Sequence, residues 1–331
     1  MSLSSMKAVV AKAYGNSEVL QIEEVARPSI RANEVLVEVY AASASQADSM
    51  MLTGTPYFGR LFTGLSKPKY PIPGTGFAGI VREVGDSVTI YEAGDRVFGQ
   101  TTLGFSTNAE YVAVPEDGVM LPMPDNLRYS EAATFSDGPM TSLNFLKNLA
   151  GVKSGQKVLI NGASGSLGTA AVQLAKYYGA EVTGVSSARN TGLVAYLGAD
   201  HTIDYVQMDF THGKEQYDIV FDTVGKSSFR RAKSVLKEQG QYLSPVIKIS
   251  LLLQMLWTGK FSRKKAKFAA TGLSTPADQR KMLVELLDMY QAGQLKIIMD
   301  RQFPLERTAD AYQYVAKGHK KGNVVIAVRA A

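Results

Sequence analysis

Three glycines, Gly162, Gly165 and Gly168, recur at three-residue spacing directly after the apolar run Val158-Leu159-Ile160. Behind them, Thr169 to Lys176 carries the apolar repeat of a helix. The order is strand, glycine turn, helix. A diphosphate must come close to the backbone, so side chains are excluded from such a turn. The helix start adds unpaired N–H groups and the positive end of the helix dipole. Glycine triplets are common in turns; the strand before this one and the helix after it make it the opening of a dinucleotide-binding βαβ unit. The expected cofactor contacts are Gly162, Ala163, Ser164, Gly165, Ser166, Leu167 and Gly168.

The next strand, Glu181 to Val185, ends in Ser186-Ser187-Ala188-Arg189-Asn190. An NAD site places Asp or Glu at about this point to accept the ribose hydroxyls. Here two hydroxyls and a guanidinium stand instead, and a guanidinium pairs well with a phosphate. Ser186, Ser187 and Arg189 therefore favour NADPH, the alternative for Arg189 being an exposed surface arginine. Tyr205, after the third strand, either covers the adenine or touches the 2′-phosphate, or is an ordinary half-buried strand tyrosine.

These residues need a parallel sheet to position them. From residue 157 to about 270, strands at 181–185, 201–205, 218–222 and 241–244, with a sixth expected at 267–270, alternate with helical stretches, 193–197 among them. That alternation implies a doubly wound sheet. Residues 7 to 120 instead hold short alternating strands punctuated by Gly85-Asp86 and Gly94-Asp95, the pattern of a small barrel-like β domain. Ser130 is the expected N-cap of a helix, residues 276–292 an amphipathic helix, and 322–328 a final strand.

The 331 residues suggest two domains with ample core. Met1-Ser2-Leu3 looks like an added leader ahead of a native start at Met6, and no secretory signal follows. The apolar run Ile249 to Trp257 is too short to span a bilayer, so a cytoplasmic location with no membrane partner is expected. The chain lacks cysteine, which removes disulfides, thiolate metal sites and a cysteine nucleophile. Net charge is +6, and the cluster Arg263, Lys264, Lys265 and Lys267 has no interleaved aromatic platform, so no nucleic-acid partner is expected.

Taken in order, these motifs resemble the medium-chain dehydrogenase/reductase superfamily, in its zinc-free quinone oxidoreductase and enone reductase branch. The resemblance covers nearly the whole chain. It rests on Gly85 to Val97, Glu110 to Pro115, the glycine motif, Gly198-Ala199-Asp200-His201, Pro304-Leu305-Glu306 and Gly322 to Val325. It implies an α/β protein. A GroES-like β-barrel catalytic domain (residues 1–127 and 274–331) would enclose an inserted Rossmann domain, a doubly wound parallel sheet at 128–273. It also implies a homodimer paired through the nucleotide domains. Thr223, Val224 and Ser244, at the ends of the fourth and fifth strands, join the cofactor set, as does Asn323 by its family position.

Matched by motif, Ser45 and Thr75 occupy slots that zinc-dependent members fill with Cys and His. Neither is a normal zinc ligand at neutral pH, and His201, His212 and His319 lack a spaced partner, so no metal is expected. Zinc-free relatives usually carry Asn at the Ser45 position. Ser45 either meets the substrate carbonyl or lines the cleft structurally. Thr141 either contacts cofactor and substrate or caps a helix. Tyr57, with Tyr70 in the same loop, either supplies a proton or packs. The expected reaction is hydride transfer from NADPH to a quinone or an α,β-unsaturated carbonyl, with Ser45, Thr141 and Tyr57 as the catalytic candidates. The alternatives are an alcohol or carbonyl dehydrogenase and a non-catalytic NADPH-binding protein.

Overall fold

The computed structural model describes residues 5–55, 57–101 and 105–329, with the backbone alone at Phe58 and Phe62. The leader expected at Met1–Leu3 lies outside them. The chain divides into two compact units: residues 1–137, 272–284 and 299–331 form one, and 138–271 with 285–298 the other. This division runs ten residues later than the expected boundary at 127. It also gives 285–298 to the second unit, where Gln173 bonds the backbone of Lys296 through both ends of its amide (2.8 and 3.0 Å).

The first unit opens with a hairpin, β1 (Ser5–Ala11) against β2 (Leu20–Ala26). Its main sheet uses β3 (Glu34–Ala44), β4 (Gly76–Val84), β5 (Arg96–Gln100), β6 (Tyr111–Pro115) and β7 (Val119–Pro122). β3 is long enough to take several partners. Its first half pairs with β6, its last four residues pair with the C-terminal strand, and β4 runs along its other edge. Two register shifts between β3 and β4 bend the sheet, as bulges do in barrels. Val35, Val37, Val39, Phe77, Val97 and Val112 fill the core from alternate strand positions. The helix expected after Ser130 starts earlier: it spans Tyr129–Ala132, and its N-cap is Arg128, whose guanidinium is paired with Glu131.

The second unit is a six-stranded parallel sheet of β8 (Lys157–Asn161), β9 (Glu181–Ser186), β10 (His201–Asp204), β11 (Tyr217–Asp222), β12 (Leu236–Leu243) and β13 (Lys265–Lys267). Its order, β10-β9-β8-β11-β12-β13, reverses direction between β8 and β11. The α/β architecture is thus GroES-like barrel plus Rossmann sheet. Both late strands differ from expectation. β12 starts five residues before 241, and the sixth strand closes before Phe268, which packs against the core instead. The helix expected at 193–197 runs Thr191–Tyr196, and the amphipathic helix runs Pro276–Gln291. β14 (Met299–Pro304) and β15 (Asn323–Ala327) return to the first sheet, β15 beside β3, so the final strand belongs to the barrel unit. Among the described residues, no helix is long and apolar enough to cross a membrane.

Candidate active site

The glycine turn lies at the point where the parallel sheet reverses its order. Gly162 adopts φ +83, which other residues rarely reach. Its N–H and that of Ala163 both donate to the Val185 carbonyl (3.0 and 2.9 Å), so these two groups fasten the turn to β9. At Gly168 the reason for glycine is closeness: a Cβ would stand 2.1 Å from the Gly162 carbonyl oxygen, because the helix Ser166–Tyr177 packs directly on the turn. Gly165 is the helix N-cap and bears no capping side chain. A Cβ there would meet only the Gly162 oxygen, at 3.5 Å. The helix dipole and unsatisfied N–H groups of such an end suit an anion.

Other expected cofactor residues converge on the same carboxyl edge of the sheet. Thr223 and Val224 face Gly162 closely enough that a Cβ on it would collide with both. The Thr223 hydroxyl donates to the Asn161 carbonyl at 2.7 Å. Ser164 accepts from the Asn190 amide at 3.1 Å. The Tyr205 N–H donates to the Ser186 carbonyl at 3.1 Å, which brings the ends of β9 and β10 together. Ser186, Ser187, Arg189 and Tyr205 thus share one corner, where Arg189 is exposed. Leu167 is held by its carbonyl, which accepts from Ser142 Oγ at 2.8 Å.

Asp222, at the end of β11, organises this edge, and sequence reasoning missed it. It is fully buried and accepts four bonds, from Asn161 Nδ2 and Tyr242 Oη (2.8 Å each), from Gly225 N (3.0 Å) and from Ser227 N (2.8 Å). Ser244 Oγ donates to its backbone carbonyl at 3.1 Å. Burial and the adjacent carboxylate push the Tyr242 phenol well above its ordinary range, so it remains a donor. The available signal was a carboxylate closing an otherwise apolar strand, where desolvation demands several partners.

In the barrel unit, Ser45 is buried as the N-cap of the helix Gln46–Thr53. Its Oγ accepts from Asp48 N at 3.0 Å, and its own N–H donates to Asp48 Oδ2 at 2.9 Å, a complete capping box. Thr75 Oγ1 donates to the other carboxylate oxygen at 3.2 Å. Burial raises the Asp48 pKa to about 6, against the lowering effect of the Ser45 hydroxyl, and the negative charge of Asp137 adds to the rise. Beside Asp48 is a cavity of about 30 Å³, lined also by Tyr14, Met51, Leu52, Tyr70 and Phe105. Phe105 and Ser106 hold positive φ (48 and 77), a strained path for non-glycine residues. The donors of this corner do not fit zinc. Ser45 and Thr75 are hydroxyls bound to Asp48, the chain has no cysteine, and no three His, Asp or Glu side chains gather among the described residues.

The other candidates are placed differently. Thr141 lies half-buried within the helix Gly138–Leu143, past its first turn, so it is not the capping residue that was one of its two readings. Tyr57 is exposed in the short turn Tyr57–Gly59, with the Arg60 guanidinium 4.7 Å from its ring centre. Asn323 is buried at the start of β15. Ser45, Tyr57 and Asn323 belong to the barrel unit, Thr141 and the glycine turn to the nucleotide unit.

The alcohol dehydrogenase GroES-like domain family matches residues 31–125, and the zinc-binding dehydrogenase family matches residues 197–326. The chain is 31% identical over 335 residues to the 2-methylene-furan-3-one reductase of Solanum lycopersicum, spanning 98% of this chain and 79% of that protein. It is 29% identical to the chloroplastic NADPH-dependent alkenal/one oxidoreductase of Arabidopsis thaliana, over 97% of this chain and 79% of that one. The quinone oxidoreductase from Coxiella burnetii superposes with a TM-score of 0.88 at 28% identity, over 98% of this chain and 100% of that one. The chain is therefore an oxidoreductase of the medium-chain dehydrogenase/reductase superfamily and belongs to its quinone and enone oxidoreductase branch.

Proposed function

We propose that this protein uses NADPH to reduce quinones or α,β-unsaturated carbonyls, without zinc. The observation that carries the reading is the uncapped helix start at Gly165, placed where the parallel sheet reverses. It suits a nucleotide diphosphate through backbone N–H groups and dipole. Gly162 and Ala163 hold the turn rigid, Ser164, Ser166 and Leu167 border the diphosphate, and Gly168 lets the helix approach. Arg189, Ser186 and Ser187 form a phosphate-pairing corner with Tyr205 beside it, which favours NADPH over NADH. Thr223, Val224 and Ser244 wall the crevice, and Asn323 is assigned to the nicotinamide end.

NADPH supplies the hydride; the protein supplies orientation and a dry cleft. An electron-poor quinone or enone accepts hydride without a Lewis acid, which suits a chain whose hydroxyl corner does not fit zinc. Ser45 and Thr141 are the assigned donors to the developing oxyanion. The Ser45 hydroxyl, tied to Asp48, would exchange that partner for the oxyanion. Tyr57, exposed beside Arg60, is assigned the proton. The test is NADPH consumption, followed by absorbance, with phenanthrenequinone, an enone and a simple ketone, with and without chelator. Turnover of the first two alone, unaffected by chelation, is expected. Turnover that requires added zinc, or no NADPH binding in calorimetry, would overturn the proposal.

A further inference from the structure

The helix Ile249–Phe261 carries large apolar residues on opposite faces, a pattern usually reserved for buried helices. One face is anchored. Leu251 and Met255 pack into the core of the nucleotide unit, and Thr258 Oγ1 accepts from Ala266 N in β13 at 3.1 Å. The opposite face carries Ile249, Leu253, Leu256, Trp257 and Phe261, each between 50% and 74% exposed. At 100° per residue these five fall within one arc of the helix, with Lys260 in their midst. A contiguous apolar stripe of this size on a surface marks an interaction site.

Charge identifies the partner. Residues 223–271 hold eleven Lys and Arg against the single Glu238, although the whole chain carries only +6; three of the eleven are paired with acids, Arg231 with Asp209, Lys237 with Asp218 and Arg263 with Glu238. Lys248, Lys264, Lys265 and Lys267 direct their ammonium groups to backbone carbonyls rather than to acids. Lys260 is exposed within the stripe and Lys233 beside it, 5.9 Å from the Trp257 ring centre, while Arg263 pairs with Glu238. A second copy seated on this face through a two-fold axis would bring like charges together. An anionic bilayer would neutralise them while its acyl boundary received the stripe, the arrangement of an interfacial helix. We infer that the exposed face of the helix Ile249–Phe261 and its flanking cations dock the protein on an anionic lipid surface. Length excludes a membrane span but does not address a helix lying in the interface. The inference does not depend on the identity of the hydride acceptor.

Trp257 is the only tryptophan in the chain, so its emission reports this face alone. The full-length protein is mixed with vesicles of phosphatidylcholine, or of phosphatidylcholine and phosphatidylglycerol, and co-sedimentation and emission are recorded. Binding to the phosphatidylglycerol vesicles is expected, with a blue shift, quenching by brominated acyl chains, and at least tenfold weakening by 0.5 M salt. Lys260→Glu/Lys233→Glu and, separately, Leu253→Ser/Leu256→Ser should each lower vesicle binding about tenfold with folding, read by circular dichroism, unchanged. Absence of co-sedimentation and of the shift overturns the inference. So does a blue shift that grows with protein concentration without lipid, which assigns the face to a second copy. Binding to duplex DNA with no vesicle binding would assign the charge to nucleic acid and overturn it too.

Discussion

The carboxyl edge of the parallel sheet and the Ser45 corner of the barrel both gather polar groups around a buried carboxylate, yet they are built to opposite ends. At the sheet edge, Asp222 takes four donors and so frees the surrounding turns from providing for themselves. The helix start at Gly165 carries no side-chain cap, and the position has room for a Cβ. At the barrel corner, Asp48 and Ser45 satisfy each other in a capping box, Thr75 closes the second oxygen, and little polar capacity is left over. An anchored carboxylate can therefore hold a site open or hold it shut. The difference lies in whether its donors come from the residues that would otherwise face a ligand.

The comparison can be broken most severely at Asp222. Asp222→Ala strands two backbone N–H groups, an amide and a phenol, and should cost about 3–5 kcal/mol in urea unfolding. NADPH affinity should fall with it; a stable variant with full affinity would show that Asp222 does not organise the edge. Gly168→Val should rank next, at about 3 kcal/mol, because the new Cβ must displace the backbone of Gly162 rather than a flexible side chain. Calorimetric loss of NADPH binding checks it.

The barrel corner gives a pH signature that the sheet edge does not. Because the folded Asp48 pKa, about 6, exceeds its ordinary value of 3.8, the folded state holds the proton more tightly. Stability should then fall as pH rises from about 4 to 6 and stay reduced above that, by a term of order 2 kcal/mol. Denaturant titrations of Asp48→Asn across this window should lack that slope, and an identical slope would move the titration elsewhere. Arg189→Glu should leave stability alone and weaken NADPH binding roughly tenfold to a hundredfold, shifting preference toward NADH. Unchanged selectivity would remove Arg189 from the phosphate corner. Ser45→Ala should be the smallest effect, about 1 kcal/mol from the lost cap. A larger fall in kcat than in stability would support Ser45 as an oxyanion donor, whereas a matched loss would leave it purely structural.

The glycine turn was legible because its chemistry is local. Gly162 and Gly168 are required by one backbone angle and one close approach, both set within a strand–turn–helix segment. The strand order was legible as a class, since alternation of strands and helices admits few topologies. Strand limits were less so. β12 reaches back to Leu236 because pairing with β11, not its own residues, extends it. Thr141 was read as a possible cap from its neighbours, but the helix begins at Gly138 and leaves it inside. Ser130 failed likewise, as the helix took Arg128 for its N-cap.

By itself, then, the sequence determined the strand–glycine turn–helix segment, the absence of thiolate chemistry and the two-part α/β architecture, all carried by residue types and short spacings. Only the tertiary structure decided that Asp222 gathers the sheet edge, that Asp48 is buried enough to titrate near pH 6, and that the apolar helix at 249–261 keeps one face uncovered. Each of those depends on which distant segments exclude water from a side chain, and desolvation is a property of the packed chain rather than of any stretch of it.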